Sequence, residues 1–137
     1  MRFTPVFLSV LASVTFVAAQ VDAEPECDSQ SGGPTTFERA AALAAFETRY
    51  LPDGVYRPQA GEQLCIKCGN AEINAENNCA VQYEASRDQF LEAFADFADG
   101  ENGCSNIIRV GDGADAGCLP VLLSTPGYYQ PGCEISC

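Results

Sequence analysis

Between residues 35 and 54 the polar and apolar positions predict a helix with marked ends. Thr35 and Glu38 have the spacing of a capping box, in which each side chain accepts a hydrogen bond from the backbone N–H of the other residue. Three apolar residues at helical spacing form one edge: Leu43, Phe46 and Tyr50. Pro52 ends the helix, and Asp53-Gly54 favours a turn.

A second, longer helix is predicted further along the chain. Six residues at gaps of three or four positions share one helical face: Cys79, Tyr83, Ser86, Phe90, Phe94 and Phe97. Asp99-Gly100 and Asn102-Gly103 end it, because these residues tolerate a left-handed turn. On this interpretation Cys79 faces the core, and its disulfide would join the helix to the layer beneath.

Shorter runs predict the strands of a small sheet. Gln63–Lys67 alternates apolar and polar residues, as a half-buried strand does, and Gly69-Asn70 ends it. Three more β-like runs are bounded by Gly, Pro or Asp: Val55–Tyr56, Asn106–Val110 and Leu119–Leu123. We therefore predict an α+β fold in which two helices pack on a small antiparallel sheet.

The first nineteen residues have the three parts of a secretory signal peptide. Arg2 supplies positive charge, an apolar stretch runs from Val6 to Val17, and small residues precede cleavage after Ala19. Cleavage after Ala23 is the second choice. The apolar stretch is shorter than the roughly 20 residues that span a bilayer. We therefore expect a secreted, extracellular protein with no membrane span.

Removal of the signal peptide leaves an arm and one domain. Residues 20–36 are polar and rich in Gly, Pro and acids, so we expect an extended arm that Cys27 ties down and that is otherwise loosely held. Residues 37–137 have the length of a single domain.

All eight cysteines follow the predicted signal peptide: Cys27, Cys65, Cys68, Cys79, Cys104, Cys118, Cys133 and Cys137. An even number in a secreted chain predicts four disulfides, whose pairing the spacing leaves open. Cys65-Ile-Lys-Cys68 has the spacing of a redox pair or of half a zinc site. Because the secretory pathway is oxidising, we expect these two cysteines to join different disulfides.

The chain is strongly acidic, and its charge excludes several partners. The net charge is −12, and loss of Arg2 with the signal peptide makes it −13. Binding to nucleic acid requires clustered Arg and Lys, which this chain lacks. Binding to an anionic membrane surface is disfavoured for the same reason. We expect a monomer kept in solution by its charge.

The absence of histidine removes most catalytic and metal-binding options. Ser-His-Asp and Cys-His nucleophile systems are excluded, and the commonest zinc ligand is missing, so we expect no cofactor and no metal. Four carboxylates recur every fourth residue and predict a solvated helix face that Arg87 relieves: Glu84, Asp88, Glu92 and Asp96. Asp112 and Asp115 form only an incomplete calcium loop.

Two adjacent tyrosines are the best candidates for an exposed contact surface. Tyr128 and Tyr129 follow Gly127 in a turn-rich segment and combine an apolar ring with a polar hydroxyl. Either ring would equally serve to cover a disulfide. Tryptophan, the usual sugar-stacking residue, is absent.

The layout of signal peptide, small acidic domain and eight cysteines resembles the small secreted cysteine-rich proteins of fungi. This resemblance implies an effector-like or host-interaction protein. Because four disulfides are predicted without a recognisable catalytic set, we expect a non-enzymatic protein that binds an extracellular protein or glycan, such as a host or cell-wall component. Three alternatives stay open: a carboxylate-dependent hydrolase, an acidic calcium-binding protein and a killer-toxin-like protein. The hydrolase requires two acids in one cleft, at least one with a raised pKa.

Overall fold

The computed structural model describes residues 25–109 and 117–137. Its elements, in chain order, are β1 (Glu26–Ser29), α1 (Thr36–Tyr50), β2 (Val55–Tyr56), β3 (Gln63–Cys68), β4 (Ala71–Glu76), β5 (Ala85–Ser86), α2 (Arg87–Ala95), β6 (Asn102–Ile107) and β7 (Pro120–Ser124). Several predictions concern residues outside these ranges: the signal peptide, the second cleavage position after Ala23, the end of a predicted strand at Val110, and the incomplete calcium loop of Asp112 and Asp115. The predicted α+β class is confirmed.

Five strands form one antiparallel sheet in the order β1-β6-β7-β4-β3. β3 and β4 are joined through Gly69-Asn70, and Gly69 adopts a φ of 56°, which favours glycine at a tight turn. β2 and β5 form a separate two-stranded ribbon. Both helices share one apolar core with the inward residues of the sheet, including Ile73 and Leu123, so they cover one face of it.

The first helix matches its prediction at both ends. The side chain of Thr35 accepts a hydrogen bond from the N–H of Glu38 (3.2 Å), and the Glu38 carboxylate accepts one from the N–H of Thr35 (2.8 Å). The helix ends at Tyr50, immediately before Leu51 and Pro52. The capping box and the proline therefore set its bounds.

The second helix is shorter than predicted, because it begins at Arg87 and not near Cys79. Ser86 caps its N-terminus through a capping box with Gln89. The residues before it form a loop organised by Asn77, a buried amide whose oxygen accepts from the N–H of Cys79 (2.8 Å). The same amide donates to the carbonyls of Pro58 and Val81. These local bonds compete with helix formation in this segment.

The predicted role of Cys79 as a pin on the second helix is therefore wrong, since its disulfide to Cys118 joins two loops. Part of the predicted apolar face of the second helix is observed. Phe90 and Phe94 are buried on α2, and Phe97 is buried just beyond its end. Apolar spacing identifies the buried rings correctly and the start of the helix incorrectly.

Aromatic rings connect the two helices and the short ribbon in the core. Phe90 stacks on Phe46 of α1 with ring centroids 4.9 Å apart. It also contacts Tyr56 of β2 at 5.3 Å and Phe94 at 5.2 Å. Because one ring touches three others from different elements, it holds the helical layer together.

Strands β1 and β4 lie where the sequence does not predict a strand. The prediction of an arm that is loosely held apart from Cys27 is wrong for Glu26–Ser29, because β1 pairs with β6 at the edge of the sheet. The sequence does not predict β4, since the alternating residues of Ala71–Glu76 include only one large apolar side chain. Its three inward positions are nonetheless fully buried at the centre of the sheet.

The strand predicted over 106–110 lies earlier in the chain, at Asn102–Ile107. The strand predicted over 119–123 is shifted by one residue, to Pro120–Ser124. No helix within residues 25–109 and 117–137 has the length and apolarity needed to cross a membrane.

We predict that Phe90→Ala lowers the free energy of unfolding by about 3–5 kcal/mol, because it removes a fully buried ring and leaves a cavity. Phe37→Ala is the matched control: Phe37 is 83% exposed on α1, and its loss should change stability by less than about 0.5 kcal/mol. Urea denaturation measures both. Equal effects would contradict the assignment of Phe90 to the centre of the core.

The buried hydroxyl of Tyr56 leads us to predict that the protein loses stability at alkaline pH. This hydroxyl has no hydrogen-bond partner in the described part of the chain. Burial, and then the carboxylates of Glu62 and Glu76, raise the pKa of Tyr56 far above 10.0. The unfolded state therefore releases this proton first, and stability falls as the pH rises above about 10.

Tyr56→Phe should reduce this alkaline loss and leave stability at pH 7 unchanged or higher by up to about 1 kcal/mol, because it removes an unsatisfied buried hydroxyl. Tyr50→Phe is the control, since the Tyr50 hydroxyl donates to the carbonyl of Cys65 (2.9 Å). That change should cost about 1 kcal/mol. Denaturation at pH 7 and at about pH 10.5 distinguishes the two variants.

Candidate functional site

Four disulfides join all eight cysteines: Cys27–Cys104, Cys65–Cys133, Cys68–Cys137 and Cys79–Cys118. The two cysteines of the C-x-x-C segment have different partners, as predicted. A redox pair would require Cys65 and Cys68 to bond to each other, and a zinc site would require both as thiolates. This segment therefore acts as an attachment point for two separate bridges.

One group of potential metal ligands occurs among the described residues, but it does not suit a metal ion. The sulfurs of Cys27 and Cys104 lie near the carboxylate of Glu101. Both sulfurs belong to the same disulfide, whereas metal ions bind the thiolate form of cysteine. The group carries no site.

The face of the sheet opposite the helices, the outer face, carries mainly polar side chains. Side chains alternate along a strand, so the buried residues Ile73 and Leu123 point toward the helices, and their neighbours Glu72 and Ser124 point to the outer face. Glu72 lies in register with Ser124 on one side and with Lys67 on the other. These residues form a polar row across the strands.

Residues 125–137, here called the tail segment, cross back over this outer face. The N–H of Lys67 donates to the carbonyl of Ile135 (2.8 Å), and the N–H of Cys137 donates to the carbonyl of Lys67 (3.0 Å). The Cys65–Cys133 disulfide attaches the middle of the segment to β3. The tail segment is therefore held at the β3 edge by backbone bonds and a covalent bridge.

A buried carboxylate provides a further anchor. Glu72 is 0% exposed, although it lies on the outer face, because the tail segment covers it. Its Oε2 accepts a hydrogen bond from the N–H of Gly127 (3.0 Å), and its Oε1 accepts one from the side-chain amide of Asn74 (2.8 Å). Buried carboxylates need such donors to offset the loss of water. Glu72 thus holds the turn that precedes the two tyrosines against the outer face of the sheet.

The structure places Tyr128 and Tyr129 side by side near the β1 edge of the outer face. The hydroxyl of Tyr128 donates to Oδ2 of Asp28 (3.0 Å), and the two rings pack edge to face with centroids 5.2 Å apart. The Tyr128 ring lies directly over Gly103, where a Cβ would come within 2.7 Å of it. Gly103 also has a φ of 64°, so glycine suits this position on both counts.

Tyr128 remains accessible despite these contacts. It is 42% exposed, and Tyr129 is half-buried. The hydrogen bond to Asp28 raises the pKa of the Tyr128 phenol, and burial raises the pKa of Tyr129. Both rings therefore stay protonated and neutral at ordinary pH. The pair offers a fixed aromatic surface with hydroxyl groups at its rim.

The acidic stripe does not form one continuous helix face. Glu84 precedes α2 and pairs with Arg57 (2.8 Å). The guanidinium of Arg87 pairs with Glu47 of α1 (2.5 Å) and also interacts electrostatically with Asp88, so it relieves the stripe only in part. The remaining carboxylates are exposed: Asp88, Glu92 and Asp96.

A small groove of about 150 Å³ lies between α2 and β6. Glu92 and Asp96 line it together with the amide of Asn106, so two acids do share one groove. Elsewhere, the guanidinium of Arg57 lowers the pKa of Asp53, and the backbone N–H of Thr36 lowers the pKa of Asp99. These two shifts are opposite to the raised pKa of a general acid.

No protein-family model, curated protein or solved structure matches this chain.

We predict that Glu72→Ala lowers the free energy of unfolding by about 1–3 kcal/mol, because it removes the buried carboxylate that accepts from the Gly127 N–H and from the Asn74 amide. Glu72→Gln should cost less, since the Asn74 amide can turn to present its oxygen to the new amide group. Glu76→Ala, on the same strand and face but half-buried, is the control and should stay within about 0.5 kcal/mol.

Urea denaturation measures the stability of these variants, and near-ultraviolet circular dichroism reports the packing of the tyrosines. Loss of the tyrosine signal in Glu72→Ala with the fold retained would confirm that this carboxylate positions the pair. An unchanged signal and unchanged stability would show that the disulfides alone hold the tail segment.

Proposed function

We propose that this chain is a secreted, non-enzymatic, effector-like protein that binds an extracellular protein or glycan through its paired tyrosines. The proposal rests mainly on one observation: Tyr128 is exposed and Tyr129 half-exposed, and yet both rings are held by contacts with each other and with Asp28. We call these two residues the tyrosine surface, together with Asp28, which bonds Tyr128, and Glu26, which is two residues before Asp28 on β1.

Three contacts from different parts of the chain hold the tyrosine surface. Asp28 bonds the Tyr128 hydroxyl, Glu72 bonds the backbone of Gly127, and the Cys65–Cys133 disulfide closes the tail segment. A surface that is rigid before binding loses little conformational entropy when a partner docks. Tyrosine is also enriched at the centres of protein interfaces, because one ring offers both apolar area and a hydroxyl.

The chemistry of the chain supports binding over catalysis. Histidine is absent, so the common nucleophile and general-base systems are excluded. The groove with Glu92 and Asp96 is a specific feature that favours the second candidate, a carboxylate-dependent hydrolase. It is small and open, and sugar-stacking rings do not line it.

Secretion is part of the proposal. It is supported by the signal-peptide pattern of residues 1–19 and by four disulfides, which persist in oxidising compartments. An acidic charge and four bridges suit a protein that must resist proteases outside the cell.

We predict that replacing both tyrosines by alanine weakens binding to the extracellular partner by about tenfold or more, because interface tyrosines commonly contribute over about 1 kcal/mol each. Purified protein would be tested against insoluble polysaccharides and against an array of extracellular proteins, and the affinity measured by biolayer interferometry. Phe37→Ala removes an exposed ring from the helical side and should leave the affinity unchanged.

Equal affinity of the double variant and the unsubstituted protein for every partner would contradict the proposal that the tyrosine surface is the binding site. A turnover assay on the same polysaccharides tests the hydrolase. Catalytic turnover that Glu92→Gln and Asp96→Asn abolish would replace the binding proposal with the hydrolase.

A further inference from the structure

We infer that the partner of the tyrosine surface is a basic, extended segment of an extracellular protein, with Lys or Arg at alternate positions. The inference rests on the proposed function and adds the chemistry of the partner. It follows from the arrangement of charges around Tyr128 and from the position of β1 in the sheet.

Two carboxylates of β1 face the same way, and one of them, Asp28, contacts Tyr128. Glu26 and Asp28 are alternate residues of β1, both exposed, so their side chains project from the outer face about 7 Å apart along the strand. Asp28 is held in place by the Tyr128 hydroxyl. The ring of Tyr128 adds a face that attracts cations.

The basic side chains of the described chain lie elsewhere. Arg57 pairs with Asp53 and Glu84, and Arg87 pairs with Glu47, all on the helical side. Arg39 donates to the carbonyl of Phe97, and Arg49 lies over the ring of Tyr50, both in the helical layer. Arg109 lines the groove between α2 and β6. Lys67 lies on β3, the opposite edge, about 19 Å from β1 across four strand spacings. The tyrosine surface is therefore a negative end of an acidic molecule.

The shape of this end favours a peptide over a polysaccharide. β1 is an edge strand, with β6 on one side and no strand on the other in the described residues. An extended peptide has side chains on one face at the same spacing as Glu26 and Asp28, so two of its cations can meet both carboxylates at once. A second copy of this chain would bring like charges together, which is unfavourable.

A synthetic peptide of about ten residues, with alternating Lys and Thr, is the probe, measured by fluorescence anisotropy with the intact protein. Replacing Glu26 by Gln and Asp28 by Asn together should weaken its binding by about five- to tenfold. The amide introduced by Asp28→Asn retains an oxygen that accepts from the Tyr128 hydroxyl, so the ring stays in place. The double variant Glu92→Gln/Asp96→Asn removes the same charge from α2 and should change the affinity less than about twofold.

Three further measurements complete the test. Binding should weaken at least about fivefold between roughly 50 and 300 mM NaCl, because the surface charges are screened. A block peptide with its lysines adjacent should bind more weakly than the alternating one. A soluble oligomer of glucosamine, which is a cationic glycan, should also bind more weakly than the alternating peptide.

An equal loss in the Glu92→Gln/Asp96→Asn control would overturn the inference, because net charge would then explain the binding. Tighter binding of the glucosamine oligomer would overturn it in favour of a glycan. If the tyrosine double variant loses affinity for the extracellular partner while the Glu26 and Asp28 variant does not, the proposed function stands and this inference fails. If neither variant loses affinity, both fail.

Discussion

The hydrogen bond between the buried carboxylate of Glu72 and the N–H of Gly127 joins the two halves of this molecule. On one side of the sheet, the helices and β-strands share an aromatic and aliphatic core. On the other, the tail segment has few apolar side chains to bury and needs polar and covalent contacts to stay in place. A buried carboxylate without donors is costly, so the turn that supplies the donor and the strand that supplies the acceptor depend on each other. The position of the tyrosine pair follows from this contact.

The disulfides likewise hold together parts of the chain that are far apart in the sequence. They join residues 39 to 77 positions apart, and each such bridge restricts the unfolded chain over a long loop. Two of them, from Cys65 and Cys68, hold the tail segment, and Cys27–Cys104 holds the edge strand. Three of the bridges start from cysteines buried in the apolar core, Cys68, Cys79 and Cys104, so they tie the core to the tail segment, to the loop before β7 and to the edge strand. On the outer face, Cys65–Cys133 attaches the tail segment to β3.

The ion pairs of the arginines and the carboxylates of β1 occupy different sides of the molecule. The paired arginines lie among the helices and the β2–β5 ribbon, where their carboxylate partners come from other elements. The carboxylates of Glu26 and Asp28 on β1 are exposed, and Asp28 accepts a hydrogen bond from Tyr128. A rigid, negative edge is protected against pairing with copies of itself and complementary to a basic chain.

Local signals in the sequence determined the first helix, the β3 strand, the buried phenylalanines and the separate partners of Cys65 and Cys68. Capping boxes, proline, alternation and apolar spacing act over a few residues, so they can be read without the fold. The start of the second helix, the β1 and β4 strands and the pairing of the cysteines depended on contacts between distant residues. Asn77 held a loop where spacing favoured a helix, and β4 was buried by its neighbours and not by its own side chains. Tyr128 and Tyr129 were identifiable as candidates from sequence, but only the tertiary structure brought Asp28 and Gly103 against Tyr128, because contacts between residues so far apart in the chain depend on the whole fold.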